Sequence, residues 1–439
     1  MYRIIIIVCF LLTSLQTHAQ LSGQVKIDSL LAELPKAKGD TNEVNLLSNL
    51  SLTYSSFDIN KGYIYGYKGL KLANNIGWKK GQAKCFNSLG ANSFYKSDFN
   101  KAIEFNLKSL KIHKEYYDTK GITANLGNLG TAYLYLSNYP KALEYFLKAL
   151  KLNEETGDKK GAGGNLGSIG HIYLSQNKYE RALEYFNKAL ESYKSLNDLN
   201  GVAIYHTNMG IVYFEQSRLE KAKKEYSKSL KINEERGNKK GIANNLGNIG
   251  LIYAAQKNYS KALSFLKRAV KINRNLGNNY NTAIYIMNIG KLYLSLSQDN
   301  VYLKSDELKK YVNLNKDVNL NKSIELSIEA INLFEEIGEF EKRSHALKNL
   351  AEAYKFKGEH EKRADALEEH HKLKDSVFNQ KNADKIAALE KAREDDLKQK
   401  EIEKQKLKIA EQEKRETLIL YFSIGFIIVM AIVMFIIYR

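Results

Sequence analysis

A spacing of forty residues runs through most of this chain of 439 residues. Glycine recurs at that spacing, and in most copies a tyrosine follows three positions later. The glycines are Gly90, Gly130, Gly170, Gly210, Gly250 and Gly290, and the tyrosines are Tyr133, Tyr173, Tyr213, Tyr253 and Tyr293. A period of about 20 to 50 residues is typical of solenoids and other arrays in which each unit contacts its neighbours. The chain is therefore predicted to be a stack of similar units.

Each copy of the repeat has the pattern of two amphipathic helices. Leu126 and Leu129 are spaced as on one face of a first helix, and Ala142 and Phe146 as on one face of a second. A single helix pair cannot bury its apolar face, whereas stacked pairs can. Proline, which interrupts helices, occurs only twice in the chain. We therefore expect an all-α fold, a right-handed solenoid of helical hairpins with a concave groove.

The ends of the array are marked by divergent copies. "NLSLTY" at 49–54 opens the array and "NLAEAY" at 349–354 closes it. About eight copies therefore fit between residues 41 and 375, after a lead-in over 20–40. An insertion near 298–319, before the last copy, is expected to lie in a loop.

The repeat resembles the tetratricopeptide repeat (TPR). The residues that match its pattern of glycine, tyrosine, alanine, phenylalanine and alanine at fixed offsets are Gly130, Tyr133, Ala142, Phe146 and Ala149. The copies are longer than the common form of about 34 residues. They are similar to a longer variant found in bacterial signalling proteins and in scaffolds that hold extended peptides. The resemblance implies a TPR helical-hairpin solenoid that binds a protein or peptide partner.

Short polar residues recur two positions before each repeated glycine. In the TPR arrays that this chain resembles, that position faces the groove, where an asparagine pairs with the backbone of a bound peptide. An amide suits this role because it offers both a donor and an acceptor. The predicted groove residues are Asn128, Ser168, Asn208, Asn248 and Asn288, with Asn125, Asn165, Asn245, Thr131 and His171 as further candidates. Alternatively, these asparagines hydrogen-bond neighbouring helices and stabilise the solenoid.

The sequence contains no recognisable catalytic or metal-binding motif. It lacks an HExxH run and a Ser-His-Asp set, and the adjacent His370 and His371 would point about 100° apart on a helix. The glycine-rich "GAGGNLGSIG" at 161–170 fails the G-x-G-x-x-G spacing and follows no strand pattern. We therefore predict no enzyme activity, no cofactor and no metal, and we expect the helix around 161–170 to be the loosest in the array.

The two termini predict export and membrane anchoring. Residues 1–19 have the basic start, short apolar run and small-residue end of a signal peptide. Residues 417–438 carry no charge and are long enough for a transmembrane helix. Lysine and arginine at 391–415 oppose this orientation, but long domains translocate largely regardless of charge. The expectation is a single-pass protein of the cytoplasmic membrane with a periplasmic repeat domain.

Between the array and the predicted span, residues 376–416 form a charged stretch without glycine or proline. Its heptad pattern is broken, so a long helix is expected, on which two copies could pair as a homodimer. The order of these segments resembles the extracytoplasmic sensor half of bacteroidete-type signalling proteins, whose relatives continue into a histidine kinase or cyclase. The sequence ends at Arg439 without such a domain. The alternative interpretation is therefore the truncated sensor part of a TPR-containing histidine kinase.

The chain is strongly basic, with a formal net charge of +18. Such a charge is compatible with nucleic-acid binding. The cations, however, are dispersed, and many stand in repeated loop positions such as Lys159-Lys160 and Lys239-Lys240. Since there is no arginine-rich stripe and no reader motif, we predict no nucleic-acid partner.

Overall fold

The computed structural model describes residues 16–298 and 315–376, together with scattered positions between 401 and 431. It divides into two compact units, 1–374 and 375–439. In the first unit a helix α1 (Gln16–Glu33) and a short 3₁₀ helix (Leu34–Lys36) precede a series of helical hairpins. The described residues contain no strand, and the predicted all-α repeat solenoid is confirmed.

Eight hairpins follow one another in the described part of this unit, each with a first and a second helix. Hairpin 1 is α2 (Thr41–Tyr54) and α3 (Ile59–Asn75); hairpin 2 is α4 (Lys79–Tyr95) and α5 (Phe99–Glu115); hairpin 3 is α6 (Thr119–Tyr135) and α7 (Tyr139–Glu155); hairpin 4 is α8 (Lys159–Ser175) and α9 (Tyr179–Ser195). Hairpin 5 is α10 (Leu199–Glu215) and α11 (Leu219–Glu235); hairpin 6 is α12 (Lys239–Ala255) and α13 (Tyr259–Asn275); hairpin 7 is α14 (Asn279–Gln298) and α15 (Lys316–Glu336); hairpin 8 is α16 (Phe340–Lys357) and α17 (360–376).

The forty-residue repeat consists of two units of twenty residues. All eleven helices from α3 to α13 have 17 residues, and three-residue turns separate them. The residue before the helix is usually Asp or Asn, as at Asp118, whose carboxylate accepts from the Gly121 N–H at 3.1 Å. The second turn residue has a left-handed backbone, at Gly157 with φ 71° but also at Tyr117 with φ 53°. First and second helices therefore begin and end in the same way.

In hairpins 2 to 7 the repeated glycine lies on the first helix, where that helix packs against the second. A Cβ atom at Gly130 would stand 2.9 Å from the Phe146 ring, and one at Gly170 would stand 2.6 Å from the Phe186 ring. Neighbouring positions carry fully buried alanines such as Ala142. Residues larger than glycine or alanine would force the helices apart, which explains the small residues of the repeat.

At four junctions, consecutive hairpins contact each other through one of two kinds of side-chain pair. In the first kind, a serine of the second helix meets an asparagine sixteen residues later: Asn125 Nδ2 donates to Ser109 Oγ at 3.2 Å, and Asn245 Nδ2 to Ser229 Oγ at 3.0 Å. We call these Ser–Asn junctions. They join hairpin 2 to hairpin 3 and hairpin 5 to hairpin 6.

In the second kind, alanine and tyrosine replace serine and asparagine. Tyr205 Oη donates to the Gly163 carbonyl at 3.1 Å, and a Cβ atom at Gly167 would stand 2.1 Å from that Oη. Tyr285 fills the space beside Gly247 in the same way. We call these Ala–Tyr–Gly junctions, since Ala189 and Ala269 stand at the serine position. They join hairpin 4 to hairpin 5 and hairpin 6 to hairpin 7.

The glycine-rich segment 161–170 lies in α8, which is continuous over all 17 residues. Aromatic rings occupy the space beside three of its glycines: Tyr193 beside Gly163, Tyr205 beside Gly167, and Phe186 beside Gly170. Gly164 is different, because no atom lies closer than 3.8 Å to an added Cβ. The expectation that this is the loosest helix stays a prediction, but its glycines make room for rings.

Several predicted segments lie outside the described residues. These are 1–15 of the predicted signal peptide, 299–314 of the predicted insertion, and most of 376–416 and 417–438. Among the described residues, no helix has both the length and the apolar character needed to cross a membrane.

Candidate partner-binding surface on the first helices

The first helices lie on the inner side of the array. Neighbouring first helices contact one another directly, and hydrogen bonds join them, as between Asn128 Nδ2 and Asn87 Oδ1 at 3.4 Å. Asn281 Nδ2 likewise donates to Asn244 Oδ1 at 3.0 Å. Since first helices converge in this way, their solvent-facing side is the concave side of the stack. We call this solvent-facing side of α4 to α14 the inner face.

The residues two positions before the repeated glycine differ in accessibility. Asn128 is exposed and donates to Asn106 Oδ1 at 3.2 Å, while Ser168 and Asn288 are half-buried and donate to the carbonyl four residues earlier in their own helices. Asn208 and Asn248 are buried, with 6% and 9% of their surface exposed. This register therefore faces the groove in some hairpins and the neighbouring helix in others.

The pair Asn208 and His171 joins hairpin 5 to hairpin 4. Asn208 Nδ2 donates to His171 Nε2 at 3.2 Å, and the imidazole packs edge-on against the Phe186 ring. Burial lowers the pKa of His171 to about 4, so its ring is neutral at pH 7 and accepts this hydrogen bond. Both residues thus have partners inside the solenoid, while Thr131, in the register of His171, is half-buried and donates to the Gly127 carbonyl at 2.9 Å.

The predicted groove residues Asn125, Asn165 and Asn245 lie between hairpins. Asn125 and Asn245 are 0% and 1% exposed, and their amides make the Ser–Asn junctions described above. Asn165 is 9% exposed, and its Oδ1 lies 3.9 Å from where a Cβ atom at Gly127 would stand, at the corresponding place between hairpins 3 and 4. Peptide binding by these residues stays a prediction, and the structure gives Asn125 and Asn245 a role in stacking.

An aliphatic patch on the inner face was not predicted from the sequence. Ile204 is 39% exposed, and Ile211, Leu251 and Ile284 are half-buried at recurring positions of α10, α12 and α14. The amide of Asn244 stands in the register of Ile204 and Ile284. The sequence does contain a signal for this patch. The residues of hairpins 2 to 4 that correspond to Ile204 are Lys84, Ala124 and Gly164, so among hairpins 2 to 7 large aliphatic side chains appear at this position only in the later ones.

A polar network centred on the largely buried Glu225 lies in hairpin 5, between its two helices. His206 Nδ1 is 2.6 Å from Glu225 Oε2, and Lys228 Nζ is 2.7 Å from Glu225 Oε1. Burial raises the pKa of Glu225, but hydrogen bonds from His206 and Lys228 outweigh it, so the pKa is lowered overall. Glu225 is therefore ionised at neutral pH, and this network belongs to the interior of the hairpin.

The described part of the chain shows no cluster of metal-ligating side chains, and its one cysteine, Cys85, is buried. No group of three or more His, Cys, Asp or Glu side chains converges there as a metal site would require. Cys85 is buried at the contact with Gly69, and burial raises the pKa of its thiol to about 12. Such a thiol is protonated at neutral pH and unreactive.

Comparison with known proteins places these repeats in a family. The model of the tetratricopeptide repeat matches residues 82–155, 121–195, 162–235, 200–275 and 241–300. No curated protein matches the chain.

The fold is similar to that of several solved structures. The quorum sensor NprR from B. thuringiensis, in its apo form, is 17% identical over 81% of this chain and 99% of its own, with a TM-score of 0.52. A Rap protein complexed with competence and sporulation factor is 15% identical over 82% of this chain and 99% of its own, with a TM-score of 0.50.

A third similar structure is the signal transduction ATPase PH0952 from Pyrococcus horikoshii, a protein with a tetratricopeptide repeat sensor. It is 17% identical over 78% of this chain and 50% of its own, with a TM-score of 0.55. At these identities the likeness concerns the fold alone. The repeats, the helical hairpins and the family match agree, and the chain belongs to the tetratricopeptide-repeat family.

Proposed function

We propose that this protein binds an extended segment of a peptide or protein on its inner face, as a scaffold or as the sensing part of a signalling system. The observation that supports this most directly is the combination of aliphatic side chains with amides in hairpins 5 to 7. Ile204 and Ile284 flank Asn244 in one register, and Asn288 lies one turn from Ile284. An extended chain offers the complement, namely apolar side chains and a row of backbone donors and acceptors.

Each part of this surface has a distinct role in the proposal. The aliphatic patch contributes affinity because it loses water on binding, at about 25 cal/mol per Å² of buried apolar surface before the costs of association. Asn128, being exposed, can exchange its bonds to Asn87 and Asn106 for bonds to a ligand backbone. Asn208 and Asn248 contribute by holding the first helices in place. The structures similar to this one include a quorum sensor and a Rap protein complexed with competence and sporulation factor, which is consistent with partner binding.

The full-length protein provides the test, through crosslinking to partners in a membrane extract. Ile204→Lys is expected to reduce capture of the specific partner at least tenfold, because a charge replaces an apolar contact. Leu147→Lys is the matched control, since Leu147 is exposed to a similar extent, 43% against 39%, but lies on a second helix. Equal capture by both variants, with unchanged melting, would exclude the inner face as the binding surface.

We further propose that the protein is exported and anchored by its carboxyl end. The support is the sequence of 1–19 and of 417–438, which have the lengths and apolar runs of a signal peptide and a membrane span. A protease added to intact spheroplasts should digest the repeat domain, and deletion of 417–438 should release it from the membrane fraction. If the repeats are protected in intact spheroplasts and are digested only after lysis, the repeat domain is not on the outer side of the membrane, and the proposed topology is wrong.

A further inference from the structure

The second helix of hairpin 6, α13, has an unusual charge. It carries five basic residues and no acidic one, whereas each of α5, α7, α9 and α11 carries at least two glutamates. The basic residues are Lys261, Lys267, Arg268, Lys271 and Arg274. On the other four helices, glutamates one turn away pair with lysines, as Glu184 does with Lys188 at 2.8 Å. Since α13 carries no carboxylate, any ion pair that its cations make is with another helix or with a molecule outside the protein.

A cleft of about 340 Å³ lies beside α13, between it and α14 and α15. Its floor is apolar and consists of side chains that are less than 9% exposed: Val270, Ile286, Ile289 and Leu326. This volume is at the lower end of the range of about 300–1,000 Å³ for small-molecule sites. The cleft is therefore large enough for a small molecule and too small for a protein domain.

The rim of the cleft is basic. Four cations line it, Lys267, Lys271 and Arg274 from α13 and Lys322 from α15. Two of them meet carboxylates, since Arg274 pairs with Glu329 and Lys322 with Glu325. Lys267 donates to Tyr293 Oη at 3.3 Å.

Lys271 is the cation that differs from these. Its side chain is exposed, and no carboxylate among the residues that the structure describes lies within ion-pair distance of it. The ammonium group of Lys271 therefore stands next to an apolar surface without a carboxylate from the described part of the chain to pair with. A neutral apolar ligand would make no ion pair with Lys271, and a hydrophilic anion would make no apolar contact with the floor. A ligand that has both an apolar part and an anionic group would make both interactions.

We propose that this cleft binds a small amphiphilic anion, with its apolar part on the floor and its carboxylate or phosphate at Lys271 and Arg274. The rim cations of the site come from the second helices α13 and α15, and the α14 residues of its floor, Ile286 and Ile289, are buried. The site is therefore distinct from the solvent-facing side of α14 and does not depend on the function proposed for that face. A small molecule bound here would contact hairpins 6 and 7 together. It would therefore stabilise this junction.

The proposal can be tested on the full-length protein in nanodiscs, with 4-phenylbutyrate as the probe and 4-phenylbutanol as its uncharged counterpart. Binding is measured by saturation-transfer NMR and by titration calorimetry. Phenylbutyrate is expected to bind at least tenfold more tightly than phenylbutanol, and its affinity should fall with added salt. Lys271→Glu should weaken phenylbutyrate at least tenfold and leave phenylbutanol unchanged.

The matched control is Lys231→Glu, which makes the same charge change at the same repeat position of α11, where the side chain is also exposed. Both variants change a solvent-facing side chain, so both should melt like the wild type. Loss of binding only in Lys271→Glu supports the site. If both variants bind phenylbutyrate equally weakly, the loss comes from the change in net charge and not from the cleft, which would contradict the proposal. Absence of phenylbutyrate binding to the wild type would also overturn it.

Discussion

The Ser–Asn and the Ala–Tyr–Gly junctions solve the same stacking problem in two ways. At a Ser–Asn junction a buried amide bridges the hairpins, and Ser109 and Ser229 pass the hydrogen bond on to the carbonyls of Ala83 and Ala203. At an Ala–Tyr–Gly junction a ring occupies the space that a glycine leaves open. The stability of a Ser–Asn junction depends on buried polar groups that have hydrogen-bond partners, and that of an Ala–Tyr–Gly junction depends on packing. The two kinds of junction should therefore respond differently to substitutions that remove or add side-chain volume and to pH.

The largest effect is expected when the ring is removed. Tyr205→Ala should lower the free energy of unfolding by about 3–5 kcal/mol, because the cavity beside Gly167 cannot collapse onto a glycine helix. Asn245→Ala, its counterpart at a Ser–Asn junction, should cost about 1–3 kcal/mol. Hydrogen exchange resolved by hairpin is the suitable measurement, since arrays do not unfold in two states. Equal costs would show that the two junctions do not differ in this way.

Acid should weaken the junction between hairpins 4 and 5 selectively. Folding lowers the pKa of His171 from about 6.5 in the unfolded chain to about 4. The stability that the neutral His171 ring contributes to the fold is therefore fully present above pH 6.5 and is lost as the pH falls from 6.5 towards 4. The loss amounts to about 3 kcal/mol at full protonation. His171→Gln should remove this pH dependence, as judged by hydrogen exchange at pH 7 and pH 4.5. A pH response unchanged in that variant would contradict the assignment.

Glycines at one repeat position should respond in opposite directions. Gly167→Ala places a Cβ atom 2.1 Å from Tyr205 Oη and should cost about 1–3 kcal/mol. Gly127→Ala has only Asn165 Oδ1 nearby, at 3.9 Å, and should stabilise by up to about 1 kcal/mol through helix propensity. Gly164→Ala should stabilise α8 to the same extent. Thermal melting of the three variants checks this, and a stabilised Gly167→Ala would refute the packing account.

The junction between hairpins 3 and 4 should accept conversion from one kind to the other. It has the alanine (Ala149) and the glycine (Gly127) of an Ala–Tyr–Gly junction but an asparagine, Asn165, where the others have tyrosine. Asn165→Tyr should therefore fill the space beside Gly127 and stabilise by about 1–2 kcal/mol. The same change at Asn245 should destabilise, since Thr207 and Ser229 occupy its surroundings. If tyrosine destabilises the protein at both Asn165 and Asn245, the residues around the asparagine do not determine which kind of junction forms, and the distinction is wrong.

The smallest effect concerns the turns, which both kinds of junction share. Tyr117 is 90% exposed and has φ 53°, a conformation that costs a non-glycine residue about 1 kcal/mol. Tyr117→Gly should recover about that amount in a denaturant titration. Gly157→Ala, at the same turn position with φ 71°, should lose a similar amount and serves as the inverse control.

The repeat period predicted the fold because glycine, alanine and tyrosine recur where helices must approach. It did not predict which asparagines face the groove. Asn125 and Asn128 are three residues apart and both lie near the concave side, yet one is buried and the other exposed. Their difference depends on the serine sixteen residues before Asn125, in another helix. The aliphatic patch at Ile204 was not predicted, because it lies where aliphatic residues interrupt the register and not where a residue type recurs in every copy.

The shared turn geometry of first and second helices has a consequence for how such a chain can change in length. The backbone itself does not distinguish a first helix from a second, so only side chains assign the two roles. Duplication of one helix and turn would exchange these roles in every later hairpin, exposing core residues to water. Duplication of a whole hairpin would preserve them. Gain or loss of length is therefore tolerated in whole hairpins, and the inner face can lengthen only in steps of one hairpin.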